Sequence, residues 1–136
     1  MEVRLDRKNK AFHYEATNEN KIVVNIDGAP EIGGENKGAR PMELILMGLG
    51  GCTSIDLGLI LKKQKQELVD YKLEVNALRK EDVSKSFESI HLHFNLWGKL
   101  DPKKVERAIE LTLTKYCSVA LSLNKEIKIT NTFTIK

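Results

Sequence analysis

The sequence predicts an α+β fold, because strand-like and helix-like segments come in separate runs instead of alternating regularly. Three short strand-like segments precede a long apolar helical segment, and two longer strand-like segments, further helices and a last strand follow it. With 136 residues, the chain is short enough to form a single domain over residues 1–136.

The composition excludes several classes of protein. Hydrophobic residues make up 41% of the chain and charged residues 30%, which is typical of a globular protein. The net charge is only +3 and the basic residues are scattered, so we expect no nucleic-acid partner. The first residues lack the apolar core of a signal peptide, and acidic residues and glycines interrupt the longest apolar stretch. We therefore expect a cytoplasmic protein with no membrane partner.

The first forty residues predict three short strands, at residues 3–5, 11–16 and 21–26. The third strand ends at Asp27-Gly28, a dipeptide that favours a turn. The glycine-rich segment 33–38 predicts a flexible loop. Pro41 then suits the first turn of a helix, where its missing N–H needs no partner.

A long central helix is predicted over residues 41–63, and it is apolar on nearly every side. Such a helix is expected to be buried on all sides. Gly48, Gly50 and Gly51 weaken a helix, so they indicate that another backbone approaches closely there. The sheets of one small domain can cover the helix only partly, and we expect a second copy of the chain to cover the rest.

The second half of the chain predicts strands at 71–78 and 87–97, a helix from Pro102 to residue 116, a short apolar segment at 119–123 and a last strand at 127–135. His91 and His93 share one face of the second of these strands. No third ligand with suitable spacing accompanies them, so we interpret that face as solvated or as an interface, and we predict no metal site there.

Two cysteines, Cys52 and Cys117, are too few for a disulfide framework, and their separation fits no zinc motif. A catalytic, a redox and a merely buried role all remain open. Cys52 lies within the apolar helix, where a cysteine usually acts as a small hydrophobic residue. Cys117 comes directly before a short helical segment, whose N–H groups favour thiolate, so the local context predicts that Cys117 is the more acidic thiol.

The run GARPMELILMGLGGCT, residues 38–53, together with a second cysteine that opens a short late helix, resembles the OsmC/Ohr family of osmotically inducible and organic-hydroperoxide-resistance proteins. The resemblance covers essentially the whole chain. It implies an OsmC-like fold, in which antiparallel sheets wrap a long buried central helix in an intertwined homodimer.

The same resemblance implies a thiol peroxidase that reduces organic hydroperoxides. Cys52 would attack the peroxide and become a sulfenic acid, and Cys117 would condense with it to a disulfide. No bound cofactor is implied, because an external dithiol such as dihydrolipoamide would reduce the disulfide.

The sequence departs from the family at two positions. Family peroxidases have a glutamate directly after the helix proline, whereas Met42 follows Pro41 here. Glu43 is the available acid and our third candidate site residue. It precedes Cys52 by nine positions, about 900° of rotation, so on a continuous helix it faces away from its own Cys52. Glu43 could reach that cysteine only if the helix begins later, and the alternative is that it faces a site across the dimer.

Family peroxidases also hold the thiolate with an arginine from the N-terminal sheet. The candidates here are Arg4, Arg7 and Arg40, and none lies in a recognisable motif. Asp56 shares a helix face with Cys52, but its negative charge opposes a thiolate, so we assign it no catalytic role. These departures leave an alternative function: a non-catalytic binding module that holds a hydrophobic small molecule in the dimer groove.

Overall fold

The computed structural model describes all 136 residues and confirms the α+β class. The chain forms two compact units, Met1–Met47 and Gly48–Lys136. The single domain over residues 1–136 therefore stays a prediction.

The first unit contains an antiparallel sheet in the order β1 (Val3–Arg7), β2 (Tyr14–Asn18) and β3 (Val23–Ile26). Strand β2 begins three residues later than the sequence pattern predicts. The reason is Asn9, whose side-chain oxygen accepts hydrogen bonds from the backbone N–H groups of Ala11 and His13. These bonds fold the chain into a turn before β2 can start.

Asp27 anchors the loop that follows β3. Its side chain is 1% exposed and accepts hydrogen bonds from the backbone N–H groups of Gly28, Glu35 and Lys37, at 2.7, 3.1 and 3.1 Å. A Cβ atom on Gly34 would lie 1.8 Å from the Gly28 carbonyl oxygen, so only glycine fits there. The glycine segment that we expected to be a flexible loop is therefore held around a buried carboxylate.

We expect the buried Asp27 carboxylate to make the stability of the folded protein depend on pH. Burial opposes ionisation of Asp27, but the backbone donors outweigh it and lower the pKa of the carboxyl group below its usual value of 3.8. A lowered pKa in the folded state stabilises the protein above the unfolded-state pKa, and this stability is lost as the pH falls through the folded-state pKa.

Asp27→Asn should therefore lower the melting temperature near neutral pH, and the difference from wild type should shrink below about pH 4. Thermal unfolding followed by circular dichroism across this range measures the effect. Asp6→Asn, which removes an exposed carboxylate from β1, is the matched control and should change little. A melting-temperature difference that is the same at every pH would contradict the linkage.

Helix α1 (Pro41–Lys63) has the predicted bounds. Its buried residues are Leu49, Thr53, Leu57 and Leu61. The helix packs against strand β4 (Asp70–Arg79), where a Cβ atom on Gly50 would lie 3.4 Å from a methyl group of Val75. The Ser54 hydroxyl also donates to the Tyr71 hydroxyl at 3.1 Å. At Gly50 the helix therefore meets side chains of β4, and the close approach of a second backbone that the glycine-rich segment predicted is not found within the single chain.

The other face of α1 is open in the single chain. Met47, Ile55 and Leu59 are exposed, and a Cβ atom on Gly48 or Gly51 would meet nothing within 4 Å. Its own chain thus covers the helix only partly, as predicted.

By length and composition alone, α1 is apolar enough to cross a membrane. The core helix of a protein in water can meet the same criteria of length and hydropathy.

The second unit has a sheet in the order β4, β5 (Phe87–Trp97) and β6 (Lys128–Ile135). Strands β4 and β5 are antiparallel, as expected, but β5 and β6 are parallel. The chain between them contains helices that return it to the same end of the sheet, and this connection imposes a parallel pairing. The core of this unit includes Ile90, Leu92, Phe94, Leu96, Val105, Ala108 and Ile109.

The connection consists of α2 (Pro102–Leu111), a π-helical segment (Thr112–Tyr116) and α3 (Ser118–Ser122). Asp101 caps α2 by accepting a hydrogen bond from the backbone N–H of Lys103. The helix thus runs to residue 116 as predicted, but its last turn is wider than an α-helix. The backbone N–H of Cys117 then donates to the Thr112 carbonyl oxygen at 2.8 Å, and so the π-helical turn positions this cysteine.

Candidate functional site

Cys52, Asp56 and Cys117 meet in the second unit. Cys52 and Asp56 lie one turn apart on α1 and are half-buried, whereas Cys117 is fully buried and is the N-cap residue of α3. The two sulfur atoms and a carboxylate oxygen of Asp56 all lie within 4.8 Å of one another. The fold therefore brings together two cysteines that are far apart in the sequence.

Both cysteines are free thiols with defined hydrogen bonds. The Cys52 thiol donates to Oδ2 of Asp56 at 3.8 Å. The Cys117 sulfur accepts from the backbone N–H of Ala120 at 3.4 Å. Each sulfur is thus oriented by its own helix.

The local context predicted that Cys117 is the more acidic of the two thiols, but the pKa of Cys117 is raised and not lowered. Burial, with a further contribution from the adjacent Cys52 side chain, raises the pKa of Cys117 to about 11. The N–H groups of Val119 and Ala120 lower it only in part. Helix α3 has five residues, too few for a strong dipole to offset the loss of water around the sulfur.

Glu43 caps helix α1. Its Oε2 atom accepts a hydrogen bond at 2.8 Å from the backbone N–H of Arg40, the residue before the first helical position. This is the reciprocal half of a capping box. A catalytic role for Glu43 stays a prediction.

The three candidate arginines bind atoms of the first unit. Arg4 pairs with Glu2, Arg7 donates to backbone carbonyls of residues 10 and 11, and Arg40 binds Asn36 and the Gly38 carbonyl. In the second unit, the guanidinium groups donate to a backbone carbonyl at residue 85 and to the carboxylate at residue 110. The partner of the Cys52 thiol is therefore a carboxylate and not a guanidinium.

His91 and His93 form a polar ladder with β6. His91 contacts the hydroxyls of Thr130 and Thr132 at 2.7 and 3.0 Å, and His93 contacts Thr132 at 2.7 Å. Threonine hydroxyls satisfy these rings across the strands. The two histidines thus belong to the sheet surface, apart from the cysteine cluster.

The sequence located Asp56 on the same helix face as Cys52, and the family resemblance implied that Cys117 approaches Cys52, but neither indicated that Cys117 also lies beside Asp56. The four-residue spacing is the sequence signal for the contact between Cys52 and Asp56. The contact of Cys117 with Asp56 depends on the path of the chain from α2 through the π-helical turn, and this path leaves no pattern of its own in the sequence.

Known proteins share this fold. A family model described as OsmC-like protein matches residues 34–132. The Escherichia coli protein YhfA is 41% identical over 101 residues, which cover 74% of this chain and 75% of YhfA. The crystal structure of a hypothetical protein from Aquifex aeolicus has a TM-score of 0.80 at 32% identity and covers 99% of this chain and 96% of that chain. The organic hydroperoxide resistance protein OhrB of Bacillus subtilis has a TM-score of 0.66 at 18% identity, with 98% of each chain covered.

A family match over more than half of the chain, a relative at 41% identity and the expected α+β architecture agree with one another. The chain belongs to the OsmC family.

Proposed function

We propose that this protein is a thiol-dependent peroxidase that reduces organic hydroperoxides. The observation that carries the proposal is the approach of two free thiols, Cys52 and Cys117, to within 4.8 Å from separate helices. Disulfides that form in cytosolic proteins are usually transient and either catalytic or redox-sensing. Structural neighbours such as Bacillus subtilis OhrB are named as organic hydroperoxide resistance proteins, which supports the substrate class.

The reaction would begin when the Cys52 sulfur, as thiolate, attacks the outer oxygen of the hydroperoxide. The O–O bond breaks, the alkoxide takes up a proton and leaves as an alcohol, and Cys52 becomes a sulfenic acid. Cys52 is the better candidate for this step because it is half-buried, whereas Cys117 is fully buried.

Cys117 would then attack the Cys52 sulfur. The S–S bond forms, the S–OH bond breaks, and hydroxide leaves with the Cys117 proton as water. An external dithiol, for which dihydrolipoamide is our candidate, would reduce the disulfide and become a disulfide itself. A reducing compartment such as the cytoplasm would keep the resting protein in the dithiol form.

We also propose that the active species is a homodimer. The exposed apolar face of α1, with Met47, Ile55 and Leu59, supports this assembly because a monomer in water would leave it uncovered. Gly48 and Gly51 on the same helix leave room for a close approach by a second backbone. In the dimer, Glu43 would be positioned to act on the partner's site.

Intact mass spectrometry tests the thiol cycle. We expect reduced wild type, treated with one equivalent of cumene hydroperoxide, to lose about two hydrogens promptly through disulfide formation. Cys117→Ser should instead gain about one oxygen, as a Cys52 sulfenic acid that dimedone traps. Cys52→Ser should keep its mass. A wild-type mass that stays constant while the peroxide is still present would contradict the proposal.

A second candidate function is a non-catalytic module that binds a hydrophobic small molecule. Its support is the partner of the Cys52 thiol, which is the Asp56 carboxylate and not the arginine that family peroxidases place there. An unchanged mass with cumene hydroperoxide, together with a hydrophobic molecule retained by the dimer in native mass spectrometry, would favour this function over the first.

A further inference from the structure

Asp56 has no role in the proposed peroxide chemistry. Its carboxylate lies beside two sulfur atoms, and the Cys52 thiol donates to it at 3.8 Å. No ion pair neutralises this carboxylate in the chain. A half-buried carboxylate without a counter-charge is costly, and a cation held between the three groups would balance its charge.

We infer that Cys52, Asp56 and Cys117 form a binding site for a thiophilic divalent cation of the Zn²⁺ class. Two thiolates and one carboxylate are the donor types that Zn²⁺ prefers, and they do not suit Mg²⁺ or Ca²⁺, which select oxygen ligands. Three protein ligands leave the fourth tetrahedral position open to water or to a small anion.

The geometry of the cluster is close to that of such a site. Bond lengths of about 2.3 Å to sulfur and about 2.0 Å to oxygen separate tetrahedral donor atoms by about 3.5 to 3.8 Å. The donor atoms here already lie within 4.8 Å of one another, so side-chain rotations about one ångström in extent complete the site. The ligands are also fixed by separate elements, since α1 supplies Cys52 and Asp56 at positions i and i+4, and the N-cap of α3 supplies Cys117.

This site uses the thiols of the proposed peroxidase but does not require that function. Binding the cation converts the thiols to metal thiolates and releases their protons, with no oxidation or reduction. A bound cation engages the lone pairs of Cys52, so it would slow the attack on peroxide. The Asp56 carboxylate thus has a function in this site, because it allows a metal ion to hold the reduced thiols in an unreactive state.

Titration with Co²⁺ alone, followed by absorption spectroscopy, tests the inference under anaerobic conditions on the reduced full-length protein. We expect thiolate-to-cobalt charge-transfer absorption in the near ultraviolet and ligand-field bands of a tetrahedral site, saturating at a single ion per chain. Zn²⁺ should displace Co²⁺, because it binds such ligand sets more tightly. Absence of the charge-transfer band from folded wild type would overturn the inference.

Three variants identify the ligands. Cys52→Ser and Cys117→Ser should each lose about half of the charge-transfer intensity, because each retains one thiolate. Asp56→Asn should weaken Co²⁺ binding by at least about tenfold, whereas Asp6→Asn, which removes an exposed carboxylate, should bind like wild type. Binding by Asp56→Asn that equals wild type, with circular dichroism showing a folded protein, would remove Asp56 from the site and overturn the inference.

The peroxidase activity and the metal site can each be contradicted without affecting the other. The cobalt spectrum needs no peroxide, so a protein that binds Co²⁺ but keeps its mass with cumene hydroperoxide would contradict only the peroxidase. A protein that forms the disulfide but gives no cobalt spectrum would contradict only the metal site. If both hold, Zn²⁺ should slow disulfide formation in wild type much more than in Asp56→Asn.

Discussion

Cys52→Ser is expected to abolish the turnover of cumene hydroperoxide with dihydrolipoamide as the reductant. A serine hydroxyl in place of the thiol cannot form a sulfenic acid, so the first step of the cycle has no nucleophile. Removal of a catalytic nucleophile typically lowers the rate by three orders of magnitude or more, to about the rate of the uncatalysed reaction. Steady-state peroxide consumption, corrected for the reaction of the dithiol alone, measures the effect.

Cys117→Ser is the matched control for this experiment, because it makes the same sulfur-to-oxygen change on the other side of the cluster. It should keep the rapid first reaction with peroxide and lose most of the steady-state turnover, since only the second step needs Cys117. Equal single-turnover rates in wild type and Cys52→Ser would assign the peroxide chemistry elsewhere. A reversed pattern, with the first step lost only in Cys117→Ser, would exchange the roles of the two cysteines.

The peroxide turnover of wild type and of both cysteine variants must be measured on metal-free protein. A trace of Zn²⁺ on the three-ligand cluster would lower the wild-type rate and reduce the apparent effect of both substitutions. Treatment with a chelator before the assay removes this ambiguity, and the difference between treated and untreated wild type is itself a measure of metal occupancy.

The sequence predicted the elements that have strong local signals. Pro41 and the charged residues after the apolar run define α1, and its predicted bounds agree with the structure. The alternation from Phe87 to Trp97 likewise predicts the full length of β5. These elements follow from periodicity and from residues that start or stop helices, which act over a few positions.

Features that depend on contacts distant in the chain were not predictable. The buried carboxylate of Asp27 was interpreted only as part of a turn, because its backbone partners at Glu35 and Lys37 lie eight and ten residues later. The parallel pairing of β5 with β6 depends on where the intervening helices return the chain. Local residue patterns carry no information on either of these arrangements.

The functional site likewise combines features that could be predicted from the sequence with features that could not. The family resemblance identified Cys52 and Cys117, and the structure brings their sulfurs together. The raised pKa of Cys117 was not predicted, because its position at a helix N-terminus is a local feature, whereas its complete burial is not. Burial in this case outweighs the short helix, and only the three-dimensional structure reveals it.

Ile55→Glu is expected to convert the proposed homodimer into a monomer. Ile55 lies on the open apolar face of α1 and is 67% exposed in the single chain, so the substitution should leave the folded chain nearly unaffected. In the dimer the carboxylate would be buried without a partner. An uncompensated buried charge costs about 3 kcal/mol or more, which weakens the dimer by at least about a hundredfold.

Size-exclusion chromatography with light scattering measures the assembly directly. Wild type should have twice the 15.4 kDa mass of one chain, and Ile55→Glu should approach the mass of the chain itself. Val83→Glu is the matched control, because it introduces the same charge at a fully exposed valine in the turn between β4 and β5. If Ile55→Glu stays dimeric while it remains folded, the open face of α1 is not the interface. If wild type is itself a monomer at every concentration tested, its exposed apolar residues require a different partner, and a role for Glu43 across a dimer is excluded with them.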